Sequence, residues 1–164
     1  MATTAVSIDE YLSGSYNPDC DYVDGEIQER NLGEIDHSRL QLAIGSYFYN
    51  RRKAWGISAF TEQRVQIAPN RFRIPDVCVV LGEPAGRILP APPFICIEIL
   101  SPEDRVSRMH ERVADYLQFG VVYVWILDPQ TRKAWRCTPG AMVEVPVLRT
   151  ENPTMVVPLE ELFD

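Results

Sequence analysis

The sequence predicts an α/β fold, a mixed β-sheet flanked by helices and preceded by an N-terminal β-hairpin. Three observations predict it. Residues 94–100 (FICIEIL) and 121–127 (VVYVWIL) are apolar with almost no alternation, as in strands covered on both faces. The stretch between them carries apolar residues at helical spacing, which makes the two strands parallel neighbours joined by a right-handed crossover. Ahead of them, Tyr22-Val23 and Glu26-Ile27 flank Asp24-Gly25, a dipeptide that tolerates positive φ in a tight hairpin.

The elements follow in order. Ser7-x-x-Glu10 before Tyr11 and Leu12 has the form of a capping box, in which each side chain satisfies a free backbone N–H of a short helix. After the hairpin, Leu40, Ala43, Ile44, Tyr47 and Phe48 recur at intervals of three and four within residues 34–55, a helix that Gly56 can end. Residues 60–67 alternate as a strand, residues 68–70 make a turn, and residues 74–81 resume as a strand. The Gly- and Pro-rich residues 82–93 are an exposed connection. Ser101-Pro102-Glu103-Asp104 is expected to start the crossover helix, with Val106, Met109, Val113, Tyr116 and Leu117 facing inward and Phe119-Gly120 closing it. Asp128-Pro129 ends the next strand, residues 133–137 return antiparallel, and the tail holds short strands and one helical turn near residues 159–163.

Length and composition set the frame. The 164 residues fit one domain, 1–164. No apolar run is long enough to span a bilayer, and the opening MATTAVSIDEYL lacks a basic segment followed by an apolar one, so a cytoplasmic protein without a membrane partner is expected. Cys20, Cys78, Cys96 and Cys137 stand far apart with no C-x-x-C pair, which reads as buried free thiols. The net charge of -7 excludes a protein that coats nucleic acid by bulk electrostatics, although basic residues cluster at Arg51–Lys53, at Arg64, Arg71 and Arg73, and at Arg105, Arg108 and Arg112. Of the 16 basic residues only Lys53 and Lys133 are lysines.

Glu98 is the informative anomaly, because a carboxylate inside an apolar strand must be protonated, paired or bound to metal. With a period of two it shares a face with Cys96 and Leu100, while Ile95, Ile97 and Ile99 point the other way. Asp76 stands at the start of another apolar strand. Two carboxylates on adjoining strands can share one hard cation, Mg2+ or Mn2+, for metal-assisted phosphodiester hydrolysis. The residues alone leave a second reading open, in which Glu98 pairs with a core arginine and Asp76 caps the start of its strand.

Pro75-Asp76 followed by Glu98 in ICIEIL resembles the PD-(D/E)XK nuclease superfamily. The wider pattern is similar to the Uma-type family of restriction endonucleases: Asp24-Gly25-Glu26, His37, Pro75-Asp76, Glu98-Ile99-Leu100-Ser101-Pro102, and Tyr116 through Gly120-Val121 to Trp125 and Asp128-Pro129. The resemblance implies a restriction endonuclease-like core that cuts DNA, with Mg2+ (or Mn2+) held by Asp76, Glu98 and the backbone carbonyl of Ile99. It also implies a nearby lysine, but Leu100 and Arg112 occupy the two positions where one is expected. Arginine can hold a phosphate oxygen and stabilise developing charge, but it stays protonated and cannot shuttle a proton. Arg112 is therefore the expected catalytic cation, with Glu26 as a third acid and His37, on the inward stripe of its helix, as further catalytic candidates. Gln63 and Arg64 are open to a substrate contact or a surface pair. A homodimer is expected from exposed strand edges. The alternative is a catalytically inactive nuclease-fold module that binds DNA or protein.

Overall fold

The computed structural model describes residues 5–31 and 33–163. Its centre is a six-stranded sheet ordered β10-β9-β8-β7-β6-β3. These strands are β3 (Ile57–Thr61), β6 (Val77–Leu81), β7 (Ile95–Ile99), β8 (Tyr123–Asp128), β9 (Lys133–Thr138) and β10 (Ala141–Val145). Among the described strands of this sheet only β7 and β8 run parallel, with Glu98 beside Ile126, and α3 (Val106–Phe119) makes the crossover between them. The expected mixed sheet and its parallel centre are both present. A smaller antiparallel sheet, β2-β1-β5-β4, is built from β1 (Asp21–Val23), β2 (Glu26–Gln28), β4 (Val65–Ala68) and β5 (Arg71–Arg73). The hairpin β11 (Val147–Thr150) and β12 (Met155–Pro158) completes the strands, and a 3-10 turn at Leu159–Glu161 follows.

Local chemistry accounts for the ends of these elements. In α1 (Ile8–Ser13) the Ser7 hydroxyl accepts from the Glu10 N–H while the Glu10 carboxylate accepts from the Ser7 N–H, the reciprocal cap read in the sequence. Asp24 and Gly25 both take positive φ, at 50° and 95°, between β1 and β2. The helix α2 (Ile35–Trp55) ends at Gly56 in the left-handed conformation.

The sheet separates two layers. On one face Ile95, Ile97, Ile99, Trp125 and Leu127 pack with Leu40, Ile44, Tyr47 and Phe48 of α2. Each such buried side chain contributes roughly 1.5–3 kcal/mol. The other face, with Cys96, Val124 and Ile126, packs with Met109 and Tyr116 of α3. Glu98 lies on this second face.

Three expected boundaries and one expected orientation are corrected. The single strand over residues 60–67 is two strands in different sheets: Thr61 pairs with Val77 and Val65 with Arg73. Glu62, at φ 51°, turns the chain from one sheet to the other, and alternation alone cannot distinguish one strand from two. The strand over residues 74–81 begins only at Val77, so Ile74, Pro75 and Asp76 bridge the two sheets. The helix expected from Ser101 begins at Val106. Ser101 precedes a proline, which disfavours helical backbone, and its N–H donates to Asp104 Oδ2 at 2.6 Å, holding that acid in a turn. Val106, expected to face inward, is 70% exposed, and the buried stripe starts at Met109.

Candidate active site

Asp76 sits where the chain passes from the small sheet to the large one, and Glu98 sits one residue before the end of β7. Together they line a cavity of about 270 Å³ with Arg30, His37, Ile99 and Arg112, and Ser101, Asp104, Arg105 and Arg108 complete its wall toward α3. Both acids are buried, each 3% exposed. Asp76 Oδ2 accepts from the Ile99 N–H at 2.7 Å, which locks the acid to the end of β7. Its Oδ1 accepts from Arg30 Nη2 at 2.6 Å, and His37 Nε2 lies 3.4 Å from Oδ2. Glu98 Oε1 accepts from the Tyr116 hydroxyl at 2.5 Å and from Arg112 Nη2 at 2.8 Å.

The two acids titrate in opposite directions. Burial raises Asp76, but the His37 hydrogen bond, the Arg30 charge and the Ile99 N–H together outweigh it and hold the carboxyl below the usual range. Burial wins at Glu98, assisted by the charge of Asp76 and opposed by Arg112 and Tyr116, and pushes it up to about 7. An ion pair ordinarily lowers a carboxylate, so the rise marks how completely Glu98 is withdrawn from water. Burial pulls His37 down, yet its hydrogen bond to Asp76 leaves it above the usual histidine value. For Arg112 burial opposes the charge, but Asp21 and Glu98 more than offset it and the guanidinium stays protonated.

Both terminal nitrogens of Arg112 are held. Its Nη1 donates to Asp21 Oδ2 at 2.5 Å and its Nη2 to the Ile74 carbonyl at 2.9 Å as well as to Glu98. Asp21 also accepts from Arg73 Nη1 at 3.1 Å and from the Ile74 N–H at 3.1 Å. Arg73, 1% exposed, reaches on to Asp115 and Glu111. A chain of ion pairs thus runs from the small sheet through α3 to the acid on β7. Of the three basic clusters in the sequence, only that of Arg105, Arg108 and Arg112 lines the cavity. Arg64 is paired with Asp19 and Arg71 with Asp24 and Asp115, while Arg51 lies over the Tyr47 ring, 3.6 Å from its centroid.

A profile of the Uma2 family, described as "Putative restriction endonuclease", matches residues 9–163. The chain belongs to the Uma2 family. A search of curated proteins finds no match. Among solved structures the chain is similar to one titled "a putative nuclease belonging to DUF820" from Anabaena variabilis, with a TM-score of 0.78, 22% identity, and coverage of 96% of this chain and 97% of that one. The likeness extends over nearly the whole of both chains and shows a shared restriction endonuclease-like fold.

In this Uma2 chain the residues singled out from sequence divide by position. Asp76, Glu98, Ile99, Arg112 and His37 converge on one cavity. Glu26 is exposed at the start of β2, opposite Val23 at the turn end of the hairpin, and is not among the cavity's lining residues. Gln63 donates to the carbonyls of Arg64 and Arg87, also outside the cavity. Three residues not anticipated complete the site: Arg30 on Asp76, Asp21 behind Arg112, and Tyr116 as a donor to Glu98. Asp21 carried a legible signal, an acid in a strand on the same face as Val23. Arg30 carried none, since it follows a short strand among Glu29 and Asn31.

The donor set fits a hard divalent cation, being oxygen only and partly anionic. Both donors to Glu98 converge on Oε1, and Oε2 accepts no hydrogen bond among the described residues. Among the described residues no group of three His, Cys, Asp or Glu side chains is arranged to hold a metal. The carbonyl of Ile99 and a substrate phosphate would therefore supplement the two carboxylates.

Proposed function

We propose that the chain, acting as a single domain over residues 1–164, is a divalent-metal-dependent DNA endonuclease that hydrolyses phosphodiester bonds. The observation that carries this reading is the meeting of Asp76, from the bridge between the two sheets, and Glu98, from β7, at one polar cavity with a fixed arginine between acid and network. Asp76, Glu98 and the Ile99 carbonyl would hold Mg2+ or Mn2+. Such an ion polarises a phosphoryl oxygen and lowers the pKa of water.

The protein's own residues supply the rest. Arg112 is pinned by Asp21, Glu98 and the Ile74 carbonyl, so its charge is preorganised and needs no rearrangement to stabilise charge on the phosphate. It cannot act as a base. Asp76, whose carboxyl is held below the usual range, stays ionised. His37, held at Asp76, orients that carboxylate. The four free thiols, all buried, support a reducing compartment such as the cytoplasm, and among the described residues no helix is long and apolar enough to cross a membrane. β10, at one edge of the large sheet with Met142 and Val143 exposed, supports a homodimer, which light scattering would test by a mass of two chains.

The test is nicking of supercoiled plasmid with Mg2+ or Mn2+. The native protein is expected to cut, and Asp76→Ala to lose activity by more than about 100-fold. If neither the native protein nor Arg112→Lys cuts, the nuclease reading fails.

A further inference from the structure

Arg30 does more than neutralise Asp76. Its side chain is 10% exposed, and while Nη2 donates to Asp76 at 2.6 Å, Nη1 is buried with no hydrogen-bond partner among the described residues. The nearest other carboxylate oxygen, Glu62 Oε1, stands 3.8 Å away. A buried donor without an acceptor is destabilising, and native structures retain few of them. Arg112 Nε, on the same cavity wall, is a second buried donor without a partner among the described residues. The carboxylates that line the cavity do not reach these two donors within hydrogen-bond distance, and the partner that suits them is an anion or a polar oxygen.

The planar guanidinium fork matches the oxygens of a phosphate, which can take two parallel N–H bonds. We infer that Arg30 is a ligand of the substrate phosphodiester, and that its bond to Asp76 is the position it holds between substrates. This rests on the nuclease reading of the cavity and adds a residue to it. When the phosphate takes the guanidinium, Asp76 Oδ1 is relinquished and the carboxylate gains affinity for a cation. Phosphate and cation binding then reinforce one another, because both require the same ion pair to open.

The experiment is fluorescence anisotropy of a short fluorescein-labelled DNA duplex in EDTA, with KCl varied from about 50 to about 200 mM. It compares the native protein with Arg30→Gln, Arg30→Lys and the remote Arg149→Gln, each checked for folding by circular dichroism. One lost phosphate contact reduces the slope of log affinity against log salt by about 1. Arg30→Gln is expected to show that reduction with affinity down about tenfold, Arg30→Lys to keep the native slope, and Arg149→Gln to change little. A native slope in Arg30→Gln, a reduction in Arg149→Gln of equal size, or no binding by the native protein overturns the inference. Calorimetry with Mn2+ alone supplies a second arm that holds even if Arg30→Gln folds poorly, since Arg30→Lys can be used in its place. Mn2+ affinity equal to or above native is expected when the arginine fork is removed, and weaker Mn2+ binding would show that Arg30 merely props Asp76. Plasmid that remains uncut while the salt slope responds would sink the nuclease reading and leave Arg30 as a phosphate ligand. Cutting with an unresponsive slope would do the reverse.

Discussion

On the α2 side of the six-stranded sheet, Ile95, Ile97 and Ile99 of β7 meet Leu40, Ile44 and Phe48 in a wholly apolar layer. On the α3 side of the same strand, Cys96 and Glu98 meet Met109, Arg112 and Tyr116, and Arg112 leads on to Asp21, Arg73 and Asp115. The first face tolerates change in proportion to the volume removed, since apolar contact is non-directional. On the second face each charge is held by its neighbours, so removing one strands the others in a medium that cannot solvate them. Stability is graded on one side and all-or-none on the other. The site lies on the second side because only there can charges be fixed in position without water.

The sharpest way to break this contrast is to remove the centre of the ion-pair chain. Arg73→Ala leaves Asp21 and Asp115 short of their shared partner and is expected to lower unfolding free energy by about 3–5 kcal/mol in urea titration. A loss below about 1 kcal/mol would show that the acids find other partners. Next in size is a pH effect at Glu98. Its folded pKa of about 7 lies above the unfolded value near 4.5, so the native state binds the proton more tightly. The resulting stability is fully present below about pH 4.5 and is lost as pH rises through 7, by on the order of 3 kcal/mol. Urea titrations of Glu98→Gln across that window should lack this decline, and an unchanged pH profile would rule Glu98 out as its source. Asp76 acts with the opposite sign, since its lowered pKa adds stability above the unfolded value that disappears as pH falls.

Ile97→Val tests the graded face. A methylene lost there is expected to reduce stability by about 1 kcal/mol while plasmid nicking per folded molecule stays at the native level. A nicking defect larger than the folding defect would mean that the two faces are coupled. The smallest change, Tyr116→Phe, removes one donor to Glu98 and is expected to destabilise by about 1 kcal/mol. Because that donor favours the ionised form, the carboxyl pKa observed by NMR should move further up, and a fall would contradict the hydrogen bond.

How far the sequence could be read differs between the same two faces. The α2 layer was legible because apolar residues at spacings of three and four, and unbroken apolar strands, report burial directly. Gly56 and Gly120, both left-handed, marked helix ends for the same local reason. The corrected boundaries lie where two elements share one pattern: residues 60–67 alternate throughout, yet Glu62 sends the chain into a second sheet. Ser101-Pro102-Glu103-Asp104 was expected to start the crossover helix, but the bond from Ser101 to Asp104 places these residues in a turn and α3 begins at Val106.

The acids of the site were visible because Asp76 and Glu98 interrupt apolar segments, and Arg112 because it shares a stripe with Met109 and Tyr116. Their partners were not. Arg30 reaches Asp76 across 46 residues and Arg112 reaches Asp21 across 91, distances over which no period carries information. By itself the sequence determined the α/β class, the parallel centre and the acidic pair, all of which follow from burial patterns along short stretches of chain. Which guanidinium meets which carboxylate, and hence why Asp76 stays ionised while Glu98 titrates near 7, was decided only when the fold removed them from water together. Desolvation and ion pairing depend on neighbours in space.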